Sequence, residues 1–532
     1  MVVEGGGAEQ FASLLCEQDV HVQQRALEGL AVLCLAGHGE CAARDCLLED
    51  GLKPVLGQLA RSPDAMVSYG LASVLHNATL YVRVEMEEER EQLRRLQLAT
   101  DPERAEAERG AAAIERDMQR LREERALREA QTDVFRGRMV DKGLTRVVVD
   151  LAQHCKTLAV HARVADILAA LALNQRHRGR MVQDGAHKTL LTLGKHLTPL
   201  DQEQHRRASL FAPASTDAPL AQASDTAPAL EVKEIKRRAA HALARIGVTT
   251  DPHLFSHGAA ADMVAPLLDL VNGDSELAQF EAALAITNLA ARGDDLKRSI
   301  LLQHGWTLME SLCASDNPQV QRAATGALCN LVTHQLILEA VEARTPAGLR
   351  HVRLFLVLTQ AEDVETVRYA ASALANLASF APAALLIAEG EGRGLAKLAG
   401  LLGRGVEEIV HPAAHAAAVL TGHAGAQGPG GGEVVWYPPA ESAKAWAREL
   451  LECGALPRLL LLQEKLAEGS QALGAVGVLL NNLKFFWHTP LSVAEAITLK
   501  GGQGGTERSE DVLQVGRWLT VLGDEEELAF SS

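Results

Sequence analysis

Aromatic residues are scarce in this 532-residue chain: Phe, Trp and Tyr together make up 4%. A β-sandwich or barrel needs Val, Ile, Thr, Tyr and Phe in alternation. Here the apolar 47% is carried by Ala, Leu and Val instead. Small side chains and strong helix formers point to closely packed helices. Cysteine is sparse too: eight residues are too few for a disulfide scaffold and fit reduced thiols in a cytosolic protein. Basic charge is in deficit, with 52 Lys and Arg against 68 Asp and Glu and a net charge of −16. Without a basic stripe, nucleic acid is not an expected partner. No run of about 18 apolar residues exists, so no membrane span is expected. The opening MVVEGGGAEQF lacks the basic and apolar regions of a secretory signal.

What is abundant is self-similarity. Arg322-Ala-Ala-Thr-Gly-Ala-Leu-Cys-Asn330 aligns without gaps on Arg368-Tyr-Ala-Ala-Ser-Ala-Leu-Ala-Asn376 and on Phe280-Glu-Ala-Ala-Leu-Ala-Ile-Thr-Asn288. Tyr69-Gly-Leu-Ala-Ser-Val-Leu-His-Asn77 and Arg237-Arg-Ala-Ala-His-Ala-Leu-Ala-Arg245 follow the same pattern, with fainter copies from Arg25, Arg163, His411 and near Gln471. Block starts at 237, 280, 322, 368 and 411 lie 42–46 residues apart. A helical period of about 40–47 residues is the armadillo/HEAT signature. Small residues three and four apart give each block one buried stripe. Such a unit cannot bury its apolar face alone and must stack on its neighbours. The expected fold is all-α: an armadillo/HEAT-type right-handed superhelical solenoid of about nine repeats, with a groove lined by one helix per repeat.

Two gaps break the period. Residues 85–138 are dense in Glu, Arg and Gln at helical spacing, and predict a long, mostly solvated helical insertion. Residues 200–230 are rich in Pro, Ser, Ala and Asp without periodicity, which predicts a disordered loop; Arg206-Arg-Ala-Ser209 within it suits a basic-directed kinase. A Gly-rich loop spans 425–439. The chain therefore divides into N-terminal armadillo repeats (1–84), the charged insertion (85–138), central repeats (139–250) and a C-terminal armadillo domain (251–532).

Catalytic and metal chemistry find little support. Gly428-Pro-Gly-Gly-Gly-Glu433 lacks the Gly-Lys-Ser/Thr continuation and the strand–helix context of a phosphate cradle. Cys34, His38, Cys41 and Cys46 are zinc-type ligands, yet they lack a Cys-x-x-Cys knuckle, and Cys34 falls on a buried helix stripe, where cysteine serves as a small hydrophobe. His411 and His415 share a helix face but have no third ligand placed by sequence. No nucleophile elbow or acid pair is present, so neither an enzyme nor a cofactor is expected. The recurrent asparagine is the stronger signal. Asn77, Asn288, Asn330 and Asn376 hold the same repeat position, where asparagine is a poor helix choice. Its donor and acceptor together match one backbone amide of a bound extended chain; equally, each could tie its helix to a neighbouring backbone.

The segment Gln279-Phe-Glu-Ala-Ala-Leu-Ala-Ile-Thr-Asn-Leu-Ala290 resembles the most characteristic stretch of the UCS proteins, the myosin-directed chaperones of the Unc-45 type. Arg322–Val332 is similar to that family's next signature, and Ala239–Pro252 to its lead-in. Tyr69–Thr79 and Arg178–Lys188 resemble its central armadillo region. The resemblance implies a cytoplasmic chaperone that binds the myosin motor domain and assists its folding or protection. It maps the groove to the 280–290 and 322–332 helices. Asn77, Asn288, Asn330 and Asn376 would hold the chain, with Phe280 and Arg322 shaping the groove. In animal members an N-terminal TPR domain docks Hsp90; no TPR pattern precedes the first repeat here, so Hsp90 is an expected partner only with that module. The alternative is a generic armadillo adaptor binding an extended peptide of another cytosolic or cytoskeletal protein.

Overall fold

The computed structural model describes residues 7–36, 42–79, 107–194, 227–422 and 438–487. Among them every regular element is a helix. Local chemistry accounts for the starts. Asn317 accepts from the Gln319 N–H and Pro318 takes the first helical position of Pro318–Leu331; Asp363 and Thr345 do the same for Val364–Ala378 and Pro346–Leu358. These side chains satisfy amides that a helix start leaves without an intrahelical partner, and proline there gives up only an amide that was orphaned anyway.

Packing divides the chain into two compact units, Met1–Arg292 and Gly293–Ser532. In the first, five helices stack in sequence: Val20–Ala36, Ala65–Thr79, Leu158–Leu171, Ala227–Thr249 and Glu276–Arg292. In the second, Pro318–Leu331, Val364–Ala378, Glu407–Leu420 and Gln471–Trp487 stack likewise. These are the helices of the repeated blocks, called ladder helices below. Their stripes are small and sealed: Ala282, Ala283 and Ala285 are fully buried, as are Ala370, Ala371 and Ala373. Larger side chains such as Leu71, Leu168, Leu328 and Leu374 fill the seams at 0% exposure, each burial stabilising by about 2 kcal/mol. The shorter helices between them form the second layer. Their close approach demands glycine at two starts: a Cβ on Gly348 or Gly394 would lie 2.1 Å from the Ala340 or Ile387 carbonyl oxygen.

The compact units part between Arg292 and Gly293, whereas the sequence segmentation parts at 250; His257–Val271 and Glu276–Arg292 pack on Ala227–Thr249 within the first unit. The charged insertion ends differently from its composition. Its described part lies in the 35-residue helix Ala107–Asp141, exposed at Leu127 and Ala130 but burying one face from Thr132 onward, with Val134 and Arg138 still exposed. Phe135, Met139 and Val140 are core residues, and Arg136, 2% exposed, donates from Nε to the Thr79 carbonyl at 3.1 Å. Phe135 near the end of the Arg- and Glu-rich run, with Met139 and Val140 just beyond it, docks the final turns. Arg178 is also buried, donating to the Ala172 and Leu173 carbonyls and to the Thr249 hydroxyl; it thereby ties the end of one ladder helix to the end of the next. The loop read at 200–230 lies outside the described residues up to 226, and the Gly-rich loop up to 437.

Candidate partner-binding face

Three asparagines of the ladder do the same structural work. Asn77 Nδ2 donates to the Ala31 carbonyl at 2.9 Å. Asn288 Nδ2 donates to the Gly247 and Val248 carbonyls at 3.0 and 2.9 Å. Asn482 Nδ2 donates to the Ala418 carbonyl at 2.8 Å. In each case the acceptor belongs to the preceding ladder helix. Gly247, Val248 and Ala418 lie in the last turn, where carbonyls lack an intrahelical partner. Asn482, which the sequence places out of phase with the others, performs this bond from a fully enclosed position, 3% exposed.

Asn77 and Asn288 are half-buried in the first unit, on helices separated by two other ladder helices. Asn330 and Asn376 sit on adjacent, packed ladder helices of the second unit; Asn330 is half-buried and Asn376 is exposed. Phe280, half-buried, lies eight residues before Asn288, on the same helical ridge. Arg322 is a clasp. Its Nε donates to Asp363 Oδ2 at 3.0 Å, and Asp363 in turn caps Val364–Ala378 through the Thr366 N–H at 2.8 Å. The Arg322 guanidinium holds the Asp363 carboxyl below the usual carboxylate range.

Sequence reasoning missed the charged residues on the intervening helices of the first unit. Arg163 donates to the Tyr69 hydroxyl at 2.8 Å and stacks over its ring at 4.9 Å. Asp166 faces His76 Nε2 at 3.3 Å on one side and accepts from Arg238 at 2.8 Å on the other. Glu281 Oε2 accepts from Arg245 Nε at 3.1 Å, with His241 Nε2 2.6 Å from the same oxygen. Burial alone would push the Glu281 carboxyl up; His241 and Arg245 outweigh it and hold it below the usual range. Glu234, bridged first by Arg237 and then by Arg238, falls to about 2. The signal was available in one case: Arg245 occupies the asparagine column of its block.

The other candidates resolve partly. Cys34 and Cys46 are buried, while His38 and Cys41 lie outside the described residues. The His411 and His415 rings stand 6.5 Å apart, edge to face. They line a cleft of about 590 Å³ between Val364–Ala378 and Glu407–Leu420, together with Arg368 and Asn376. Gly428–Glu433 and Ser209 lie outside the described residues.

No family model matches the sequence. "Protein unc-45 homolog B" of Xenopus laevis is 26% identical over 379 residues, 70% of this chain and 34% of that relative. The chain is homologous to UNC-45. Among solved structures, UNC-45 from Drosophila melanogaster superposes with a TM-score of 0.60 at 21% identity, covering 90% of this chain and 51% of that one. The myosin chaperone UNC-45 from C. elegans, solved in complex with an Hsp90 peptide, gives a TM-score of 0.61 at 17% identity, over 91% and 44%. These likenesses establish the fold as an all-α solenoid of the UNC-45 type. The match to the curated relative spans about a third of its length. Among the described residues, no helix is long and apolar enough to cross a membrane.

Proposed function

We propose that this chain is a myosin-directed chaperone that acts by binding: its ladder face holds segments of the myosin motor domain in the cytosol and assists their folding or protection. The observation that carries this is the homology to UNC-45 over 70% of the chain; UNC-45 of C. elegans is a myosin chaperone. The ladder supports it physically. Phe280 and Asn288 in the first unit, and Asn330 and Asn376 in the second, offer half-buried or exposed groups on the stacked helices of each unit, and many modest contacts spread along such surfaces give affinity without a deep pocket. Binding of this kind needs no nucleotide, metal or catalytic group, and we assign none.

The test is co-expression with a myosin motor domain, scoring soluble motor with actin-activated ATPase activity. Comparison arms are no partner, the wild-type chain, Phe280→Ala, Asn376→Ala, and Asn288→Ala with Asn330→Ala. The wild type is expected to raise active motor severalfold. Asn288→Ala also removes two bonds to neighbouring carbonyls, so its effect on stability is measured alongside; Asn376→Ala, exposed, separates holding from folding. A wild-type chain that neither binds nor rescues the motor removes the myosin assignment. Adding Hsp90 to the same system tests whether it cooperates.

A further inference from the structure

The cleft between Val364–Ala378 and Glu407–Leu420 differs from the other ladder seams in what its polar groups are doing. Arg368 lines it but is already neutralised: its Nε donates to Glu365 Oε2 at 2.9 Å, and its guanidinium stacks over the Tyr369 ring at 4.2 Å. Glu408 also lines the cleft, is exposed on the first turn of its helix, and is left outside that pair. His411 and His415 form the remaining polar wall. Burial, and next the proximity of His411, hold the His415 ring below the usual imidazole range, so it is neutral near pH 7. Beside the neutral His415 ring, the Arg368 cation faces two carboxylates, Glu365 and Glu408, across the cleft lining. Ala375 and Pro412, both buried, give it an apolar floor. Asn376 stands at the same cleft, exposed, with an amide able to pair one peptide unit.

We infer that this cleft is a side-chain subsite for a lysine or arginine of an extended polypeptide, with Asn376 holding the backbone beside it. The long aliphatic stem of such a residue covers the apolar floor while its charged head reaches outward. The head meets Glu408, and the neutral His415 ring has a nitrogen able to accept from its N–H groups. A carboxylate guest would instead face two like charges with Arg368 already engaged. The acidic chain as a whole, at −16, favours approach of a basic partner in the same sense. The inference rests on the proposed chain-holding role of the ladder and adds a selection rule to it.

The experiment uses the full chain and fluorescein-labelled extended peptides of one neutral sequence with a single central Lys, Arg, Gln or Glu, read by fluorescence polarisation. Lys and Arg peptides should bind about fivefold more tightly than the Gln peptide, as for a partly exposed ion pair, with the preference shrinking in high salt. Glu408→Gln should remove the preference and leave the Gln peptide unchanged. Asn376→Ala should weaken all four alike. Equal affinity for all peptides overturns the charge selection while leaving chain-holding in place. A preference that survives Glu408→Gln moves the site elsewhere and overturns the assignment. If no peptide binds while the motor domain still does, the subsite falls and the proposed function stands. Circular dichroism of both variants confirms that each is folded.

Discussion

In the first unit, ladder helices Ala65–Thr79, Leu158–Leu171, Ala227–Thr249 and Glu276–Arg292 are joined by ionic clasps. Arg163 meets Tyr69, Asp166 is shared between His76 and Arg238, and Arg245 and His241 converge on Glu281. In the second unit, Pro318–Leu331 is clasped to the next helix by Arg322 and Asp363, but the following seam opens as the cleft at Asn376. The same repeat scaffold therefore presents one face whose charges are satisfied internally and another with groups left for a guest. A half-buried ion pair fixes helix register but has little left to offer a ligand; an exposed amide beside a cleft contributes little to stability and is free to bind. Function should concentrate where the ladder is least tied.

The comparison presumes that the packing beneath the two faces is equivalent. Leu168→Ala in the first unit and Leu374→Ala in the second each empty a fully buried seam position. Each should cost about 3 kcal/mol through lost transfer energy and an unfilled cavity, measured by urea unfolding. All five tryptophans lie beyond residue 292, so tryptophan fluorescence reads the second unit directly and far-UV dichroism reads the helices of both. Unequal costs would place the difference between the units in their cores rather than on their faces.

Acid should act on both units by the same route. His161 and His351 are 1% and 6% exposed, and burial, aided by nearby Lys156 and Arg350 respectively, drives each ring down to about 4. The unfolded rings titrate at 6.5, so between pH 6.5 and 4 the unfolded state binds more protons and stability falls as pH falls. The loss is absent above pH 6.5 and reaches about 3 kcal/mol per histidine below pH 4. His351 lies 4.2 Å from the Trp306 ring, so His351→Phe should flatten the pH dependence seen in tryptophan fluorescence. A slope unchanged in that variant would assign the acid sensitivity to other groups.

The asparagines sharpen the contrast within one residue type. Asn482→Ala removes a buried amide and strands the Ala418 carbonyl, which should cost about 1–2 kcal/mol. Asn376→Ala, on an exposed position of the same kind of helix, should change stability by less than about 0.5 kcal/mol. Urea unfolding of the two variants side by side checks this. Similar losses would mean that Asn376 also holds the scaffold, and its part in chain-holding would have to be given up.

Much of this was legible in the sequence because the period was. Block starts at 25, 69, 163, 237, 280, 322, 368, 411 and near 471 each fall in or at the start of a ladder helix. Phe135 and Arg136 were hidden by the charge density around them, since composition averages over the few residues that dock. Asn482 was hidden by register: the helices Ala440–Glu452 and Ala455–Lys465 intervene before its block, and only packing restores it opposite Ala418. The acceptor of each asparagine was beyond sequence altogether, because it depends on the axial offset of two helices more than forty residues apart. The ionic clasps escaped for the same reason.

The smallest effects test the clasp of the second unit. Arg322 is 40% exposed at its side chain and Asp363 14%, so their attraction is screened and worth under about 1 kcal/mol. Asp363 has a second role that Arg322 lacks: it caps Val364–Ala378 through the Thr366 N–H and also accepts from the Thr366 hydroxyl. Asp363→Ala should therefore cost about 1 kcal/mol more than Arg322→Ala, the worth of an N-cap. In a double-mutant cycle the coupling between the two should be a few tenths of a kcal/mol and fade in high salt. A coupling above about 2 kcal/mol would make this seam as tightly clasped as those of the first unit. The cleft at Asn376 would then owe its openness to its own residues alone, and not to a looser ladder.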